Sequence, residues 1–305
     1  MTDSTDNAPT TLRVAVVLYR NDLGTVWRCV RALNRAVGVA LDTPGLKLSS
    51  VSLALGDCSD RAVLSERELG EIQENLDPRI KVDYTFFAAN LGHSAGCNAL
   101  AEGAAEDVLL LLNPDTYVAP TLVVHLLEAL RDPTVAAVDG RQIPCEHPKH
   151  YDEHRGDQSW ASGACLAVRT AVYHEVGGFD AEWFPSYVND VDLSWRIRLR
   201  GHRVVHEPKA VLFHDKRLDE QARVRTTAIE PYAGILGRLV LATRYGREDV
   251  VKETIDVMRV HGSEEQRRAV AEFEQLRAAG KLPEVVPNAS DVAEFIDGEY
   301  GRRRF

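Results

Sequence analysis

The feature that most constrains this chain lies near its start: Leu12 to Tyr19 (LRVAVVLY) is apolar almost without interruption and rich in β-branched side chains. Continuous rather than alternating apolar character belongs to a strand covered on both faces, as in a parallel sheet packed between helices. Further strands are read at Val51 to Leu55, Ile80 to Phe86, Val108 to Leu112, Val135 to Val138, Gly163 to Arg169 and Ala210 to Phe213. Helical signals alternate with these runs. Val26, Val30, Leu33 and Val37 fall at helical spacing, Glu66 to Leu76 reads as helix, and Ser94 is a candidate N-cap for a helix to Ala105. Pro120 suits the first turn of a helix to Leu130, Thr170 to Val176 is a short helix, and Val191 to Arg200 is stopped by Gly201. This alternation predicts an α/β fold with a mostly parallel central sheet and flanking helices.

Beyond Asp215 only helical patterns remain: Asp219 to Tyr245, with Pro231 expected to break or kink it, then Glu248 to Val260 and Glu264 to Ala279. The expected organisation is a short disordered tail over 1–11, an α/β domain over 12–215 and a helical C-terminal subdomain over 216–305. Arg141 to Gly156, rich in His, Pro and charge, reads as a loop or an insertion beside the site.

Composition narrows the function. With 36 Lys+Arg against 46 Asp+Glu the net charge is −10, and neutralising phosphates takes an excess of basic groups, so no nucleic-acid partner is expected. The five cysteines (Cys29, Cys58, Cys97, Cys145, Cys165) are scattered and form no CxxC pair, which fits reduced thiols in a cytoplasmic protein. Met1 to Thr11 is polar and lacks the apolar core of a secretory signal. No run of about 18 apolar residues offers a transmembrane segment. A membrane-bound acceptor would be met peripherally, from the inner membrane face.

Polar residues gather where the strands end: Tyr19-Arg20-Asn21-Asp22, Gly56-Asp57, Asn90 and Asn113-Pro114-Asp115. In open α/β sheets ligands bind at the carboxyl ends of strands, so these loops mark the expected site.

Five motifs occur in order: Asn90-Leu91-Gly92, Asn113-Pro114-Asp115-Thr116, Ser162-Gly163-Ala164-Cys165, Gly177-Gly178-Phe179-Asp180 and Asn189-Asp190-Val191-Asp192-Leu193. With them the chain resembles family 2 glycosyltransferases of the GT-A fold, and among these the bacterial rhamnosyltransferase-type members of polysaccharide biosynthesis. The likeness covers about Leu12 to His214. It implies an inverting enzyme that moves a sugar, rhamnose from dTDP-rhamnose or a hexose from a UDP-sugar, onto a glycan or glycolipid hydroxyl. A divalent cation, Mg²⁺ or Mn²⁺, would stabilise the leaving diphosphate, and hard oxygen ligands suit either ion. Asp115 matches the family's metal carboxylate and His214 a histidine that family members often add; Asn113 departs from the usual first aspartate, leaving one fewer charged ligand. Asp190 matches the general base that takes the acceptor's proton. Asn189 departs from the usual acidic neighbour, which removes a like charge beside that base.

For the nucleotide the resemblance points to Tyr19 as a stacking surface, Asp57 as acceptor for the pyrimidine imide, and Asn90 with Gly92 along the base or ribose. Trp160, Trp183, Phe184 and Tyr187 flank the base and are candidate acceptor platforms. Asp192 lies roughly 200° around a helix from Asp190, so it serves either the acceptor or an i+4 pair with Arg196. Arg196 and Arg198 face phosphate or solvent. Gly96 permits a close approach of helix to ligand, with simple packing as its plainer reading, and His93, usually apolar in the family, reads as a pocket residue of this chain.

Each residue also has a plainer reading: Asp115 and Asp57 as turn residues, Asp190 as a carboxylate favoured at a helix N-terminus, His214 as a solvated strand-end histidine, and Tyr19 and the aromatic cluster as core. At the level of the whole protein the alternative is a catalytically silent scaffold subunit of the same fold. A nucleotidyltransferase would carry a Gly-rich basic loop after the first strand and a dehydrogenase GxGxxG, and neither is present. The sequence leaves the donor, the acceptor and any homo-oligomer open.

Overall fold

The computed structural model describes residues 11–216 and 229–304. Of the expected N-terminal tail only Thr11 falls within the described residues, where it opens a strand; the start of the helix expected from Asp219 lies outside them.

Eight strands form one sheet: β1 (Thr11–Leu18), β2 (Ser50–Asp57), β3 (Ile80–Phe86), β4 (Val108–Leu112), β5 (Thr116–Val118), β6 (Val135–Ile143), β7 (Cys165–Arg169) and β8 (Arg203–His214), in the order β3-β2-β1-β4-β7-β6-β8-β5. The half from β3 to β4 is parallel throughout. The other half is mixed, because β7 runs antiparallel to both β4 and β6, and β5 antiparallel to β8. The continuous apolar runs are the fully covered strands: every residue of β4 is buried, as are Val14 to Leu18 of β1. The three-residue β5 escapes notice in the sequence, since it follows Asn113-Pro114-Asp115 with no periodicity of its own.

Helices α1 (Leu23–Leu41), α2 (Glu66–Asn75), α3 (Gly92–Ala101), α4 (Leu122–Ala129), α5 (Thr170–Glu175) and α6 (Asn189–Leu199) connect the strands. Asp22 caps α1 through the Thr25 amide, and Ser65 with Glu68 forms a capping box on α2. Ser94 is not the cap of α3: the helix starts at Gly92, and the Ser94 hydroxyl donates to the Phe184 carbonyl at 2.5 Å. The helix begins earlier because Gly92 adopts φ +77°, turning the chain sharply against Pro185; a Cβ there would lie 3.3 Å from the Pro185 carbonyl oxygen.

The C-terminal helices are α7 (Ile229–Arg244), α8 (Glu248–His261) and α9 (Glu264–Ala278). Pro231 lies in the first described turn of α7, where no helical N–H is required of it, and the residues before Ile229 lie outside the described ones. Leu239, Val240, Tyr245, Val251 and Phe273 share one apolar core with Trp160, Phe184, Val188, Val191 and Trp195, so these helices pack directly on α6. The chain then returns: Arg303 bridges to Lys149, and the Arg304 amide donates to the Pro148 carbonyl.

Near the middle of β6 sits Asp139, 1% exposed. Its carboxylate accepts from Lys149 Nζ (2.5 Å), Gln158 Nε2 (2.8 Å) and the Ser162 amide (2.7 Å), and pairs with His206 Nδ1 (2.9 Å). Burial alone would raise this carboxyl, but the Lys149 charge and the His206 contact hold it well below the ordinary carboxylate range. Removing one partner of such a group leaves buried charge uncompensated. Asp139→Ala is therefore expected to cost about 3–5 kcal/mol of folding stability, read as a lowered urea midpoint. An unchanged midpoint would show that Asp139 does not hold the segment from 144 to 162.

Candidate active site

The loops after β1, β2, β3 and β4 meet at the carboxyl edge of the parallel half, where strand dipoles and open amides favour polar ligands. Tyr19 is 44% exposed, with the Arg20 guanidinium 5.2 Å from its ring centroid, so it is not a core aromatic. Asn90 is exposed, and its Oδ1 accepts from the Gly92 amide at 3.1 Å. Asp57 differs from expectation. It is 0% exposed, and its oxygens take the amides of Ser59 (2.9 Å) and Val63 (2.6 Å) and the Tyr84 hydroxyl (2.6 Å). Burial would raise its carboxyl, yet the Ser59, Tyr84 and Val63 hydrogen bonds outweigh it and the net shift is downward. Through these bonds Asp57 braces the 57–63 loop.

Asp115 follows β4, and His214 ends β8; the antiparallel pairing of β5 with β8 sets Thr116 opposite His214. The imidazole Nε2 lies 3.5 Å from the Asp115 carboxylate, while Nδ1 lies 2.9 Å from Gln142 Oε1. Beside them Asn113 Oδ1 is buried without a hydrogen-bond partner. Among the described residues no group of three His, Cys, Asp or Glu side chains converges on one point. A carboxylate oxygen and a borderline imidazole nitrogen nevertheless fit Mn²⁺, and Mg²⁺ where a diphosphate supplies the remaining oxygens.

The base candidate stands at the start of α6. One Asp190 oxygen accepts from the Gly163 amide at 2.9 Å, the other from the Val191 amide at 3.0 Å. Loss of solvation is the largest influence on this carboxyl and raises it above its ordinary value, against those hydrogen bonds and the Lys149 charge. The turn before it is strained: Tyr187 and Val188 both lie in the left-handed region, at φ 59° and 62°, and Val188 is β-branched. Gly237 of α7 packs so closely on Val188 that a Cβ would come within 3.1 Å of its methyl.

Asn189 is not merely a lost acid. Its Nδ2 donates to Ser94 Oγ (2.9 Å) and lies 3.3 Å from His93 Nδ1. A carboxylate could donate to neither. Burial holds the His93 imidazole below its ordinary value, against its contact with Asn113 and the charge of Asp115, so His93 stands neutral between the two positions where this chain departs from the family pattern. Gly96, behind it, lets α3 approach Val17.

Other expectations are corrected. Asp192 is 0% exposed and does not face an acceptor: its carboxylate pairs with Arg196 (2.7 Å) and Arg244 (3.5 Å), with the Tyr245 hydroxyl at 3.3 Å. Arg196 also donates to the Val176 carbonyl, and Arg198 binds Glu294 and the Ser159 and Val292 carbonyls, so neither is left for phosphate. Trp160 is 7% exposed, with Lys149 Nζ 4.3 Å from its ring centroid and His147 against its edge, which takes the face a sugar would need. Phe184 is buried and Trp183 half-buried against the C-terminal core; Tyr187 remains exposed beside the base.

Sequence reading missed Lys216. Burial pulls its ammonium down, while Cys145, Asp115 and Asp190 pull it up, so it lies within the field of both candidate carboxylates. It also missed Gln142 and Arg244, both far from any motif; only its place two residues beyond His214 could have drawn attention to Lys216. All five cysteines are free, as expected of reduced thiols. No described helix is long and apolar enough to cross a membrane.

No protein-family model matches the chain. It is 30% identical over 164 residues to an N-acetylglucosaminyl-diphospho-decaprenol L-rhamnosyltransferase of Mycobacterium tuberculosis, covering 42% of this chain and 52% of that one. It is 28% identical over 145 residues to a pre-mycofactocin glycosyltransferase of the same organism, covering 41% of this chain and 30% of that one. The chain thus spans about half the length of the rhamnosyltransferase it matches. Among solved structures it superposes on GalNAc-T7 with UDP, GalNAc and Mn²⁺ (TM-score 0.56, 16% identity, 92% of this chain and 59% of that one). It also superposes on the mannosyltransferase PcManGT from Pyrobaculum calidifontis with GDP-Man and Mn²⁺ (TM-score 0.55, 15% identity, 94% and 79%). The fold is the GT-A fold of glycosyltransferases, and the sequence is rhamnosyltransferase-like.

The two α6 carboxylates should separate by experiment. Asp192→Ala leaves Arg196 without its carboxylate partner and Arg244 with Asp180 alone, and is expected to cost about 3–5 kcal/mol in urea unfolding. Asp190→Asn, which keeps the side chain's size, should change the same midpoint far less; equal losses would place both carboxylates in one structural role.

Proposed function

We propose that this chain is an inverting glycosyltransferase, moving a sugar from a nucleotide-diphosphate donor onto a hydroxyl of a glycan or glycolipid. The observation that carries the reading is Asp190: a carboxylate raised by burial and aimed by the Gly163 amide, whose charge acts on the same Lys216 as that of Asp115. Asp115 and His214 would hold a divalent cation, which supplies Lewis-acid stabilisation of the leaving diphosphate. The name of the rhamnosyltransferase relative favours L-rhamnose as the sugar; dTDP is the carrier that the family resemblance implies, and a UDP-hexose is the competing donor.

Tyr19, Asn90 and Gly92 line the edge proposed for the nucleotide, beside the 57–63 loop that Asp57 keeps in place. Lys216 adds positive charge toward the diphosphate. At the other side Asp190 takes the proton of the acceptor hydroxyl as its oxygen bonds to the anomeric carbon. The bond from that carbon to the diphosphate breaks, and the nucleoside diphosphate departs with the electron pair. Tyr187 lies next to the entering acceptor. With no described helix able to cross a bilayer, a lipid-linked acceptor would be met at the membrane surface of the cytoplasm.

A base must be ionised to act, and Asp190 has its carboxyl raised in the folded protein, so the acid limb of kcat/KM should turn over above the ordinary 3.8 of an aspartate. Activity is lost below that limb and present above it. With Mn²⁺ and dTDP-rhamnose or a UDP-hexose, the protein should release nucleoside diphosphate slowly to water. Asp190→Asn should lower that rate by about 10²- to 10⁴-fold while the donor still raises the melting temperature. Normal hydrolysis by the variant would contradict the base assignment, and no thermal shift with any nucleotide sugar would contradict the donor site.

A further inference from the structure

Gln142 belongs to none of the five motifs, yet it is the residue through which the two halves of the site meet. A break in register between Gly140 and Arg141 shifts β6 against β8, so that Gly140 pairs with Glu207 but Arg141 with Val211 and Gln142 with Leu212. The shift needs Gly140: a Cβ there would fall 2.2 Å from the Ala210 carbonyl oxygen. Side chains alternate along a strand, so Gln142, level with Leu212, emerges on the same face as His214 two residues further on.

There Gln142 is 4% exposed and both ends of its amide are engaged: Oε1 lies 2.9 Å from His214 Nδ1, and Nε2 donates to Ser162 Oγ at 2.8 Å. Ser162 is anchored in turn, its amide donating to Asp139, and the next amide, that of Gly163, holds Asp190. A neutral imidazole carries one proton, and the hydrogen bond made by one ring nitrogen decides what the other offers. A proton on Nδ1 donates to Gln142 and leaves the Nε2 lone pair free. The Nε2 separation from Asp115, 3.5 Å, fits this better than the opposite tautomer, since a hydrogen bond from Nε2 to a carboxylate would draw the atoms to about 2.7–2.9 Å.

We propose that Gln142 is a positioning residue for the divalent cation: by accepting from His214 Nδ1 it presents Nε2, with Asp115, as a ready ligand. The inference rests on the sugar-transfer reading of the same site. It also gives the chain, which has Asn113 where a second carboxylate is usual, a way to keep a competent metal site by fixing the ligands that remain.

Two measurements test it. In the metal-free protein, a long-range ¹⁵N–¹H spectrum of the histidine rings, with His214 assigned by comparison with His214→Ala, should place its proton on Nδ1. In Gln142→Leu, of similar volume, the proton should move toward Nε2. In a Mn²⁺ titration with UDP present, Gln142→Leu should weaken Mn²⁺ binding by about 10- to 100-fold, and Gln142→Glu, which keeps the acceptor, should restore most of it. In a His214→Ala background Gln142→Leu should change nothing further. A proton on Nε2 in the parent protein overturns the proposal, as does an equal loss of Mn²⁺ affinity with or without His214. If the parent binds Mn²⁺ and Gln142→Leu binds it equally well, only the role of Gln142 fails. If the parent binds no Mn²⁺ beside UDP, the metal site of the sugar-transfer reading fails with it.

Discussion

A carboxylate buried between strands destabilises a fold unless its lone pairs are met, and Asp139 meets that condition with partners from three separate segments. Lys149 comes from the His- and Pro-rich stretch after β6, Gln158 and the Ser162 amide from the loop before β7, and His206 from β8. None of these segments carries an apolar pattern of its own strong enough to fix it. Their placement follows from the need to neutralise one charge. The consequence reaches the site, because the loop tied down at Ser162 continues into Gly163, whose amide aims Asp190, and Ser162 Oγ receives Gln142, which orients His214.

The base is held from its other side by the C-terminal helices. Two successive non-glycine residues at positive φ, Tyr187 and Val188, are costly, and such a turn persists only where packing leaves no alternative. Gly237 closes on Val188, and Arg244 reaches Asp192 and Asp180, so α7 locks both ends of the first turn of α6. Asp190 and Asp192, two residues apart, therefore have opposite parts. One faces the site, with its carboxyl raised; the other is buried among cations and holds the helix.

Much of the fold was legible in the sequence: β4 is a covered strand made of a continuous Val and Leu run, β3 alternates apolar and polar residues, and both match their expected bounds at each end. The short β5 and the full length of β8 were not, since β8 runs through His206, Glu207, Pro208 and Lys209, which interrupt any apolar signal. Within the candidate site, Asp115, Asp190 and His214 stand at strand ends and in motifs, which is why the sequence marks them as candidates. Asp139, Gln142 and Arg244 go unmarked, because their importance lies in partners far along the chain, and a lone polar residue inside a strand carries no mark of its partner. Asp57, Trp160 and Asp192 went the other way: the motif or the aromatic character drew attention, and hydrogen bonds and ion pairs that only the fold brings together had already claimed them.

The two departures from the family pattern, Asn113 and Asn189, look like losses when taken singly. Around His93 they are linked, since the imidazole accepts from the Asn189 amide and its ionisation responds to Asn113. The arrangement exchanges negative charge for directed donors, and in the proposed reaction it leaves Asp115 for the cation and Asp190 for the proton. A single carboxylate acting as base, with no covalent intermediate, requires the sugar to turn over at its anomeric carbon. The anomeric configuration of the freshly formed product, read by ¹H NMR coupling before mutarotation or hydrolysis, tests this most directly. The account predicts the configuration opposite to that of the donor; retention would contradict it.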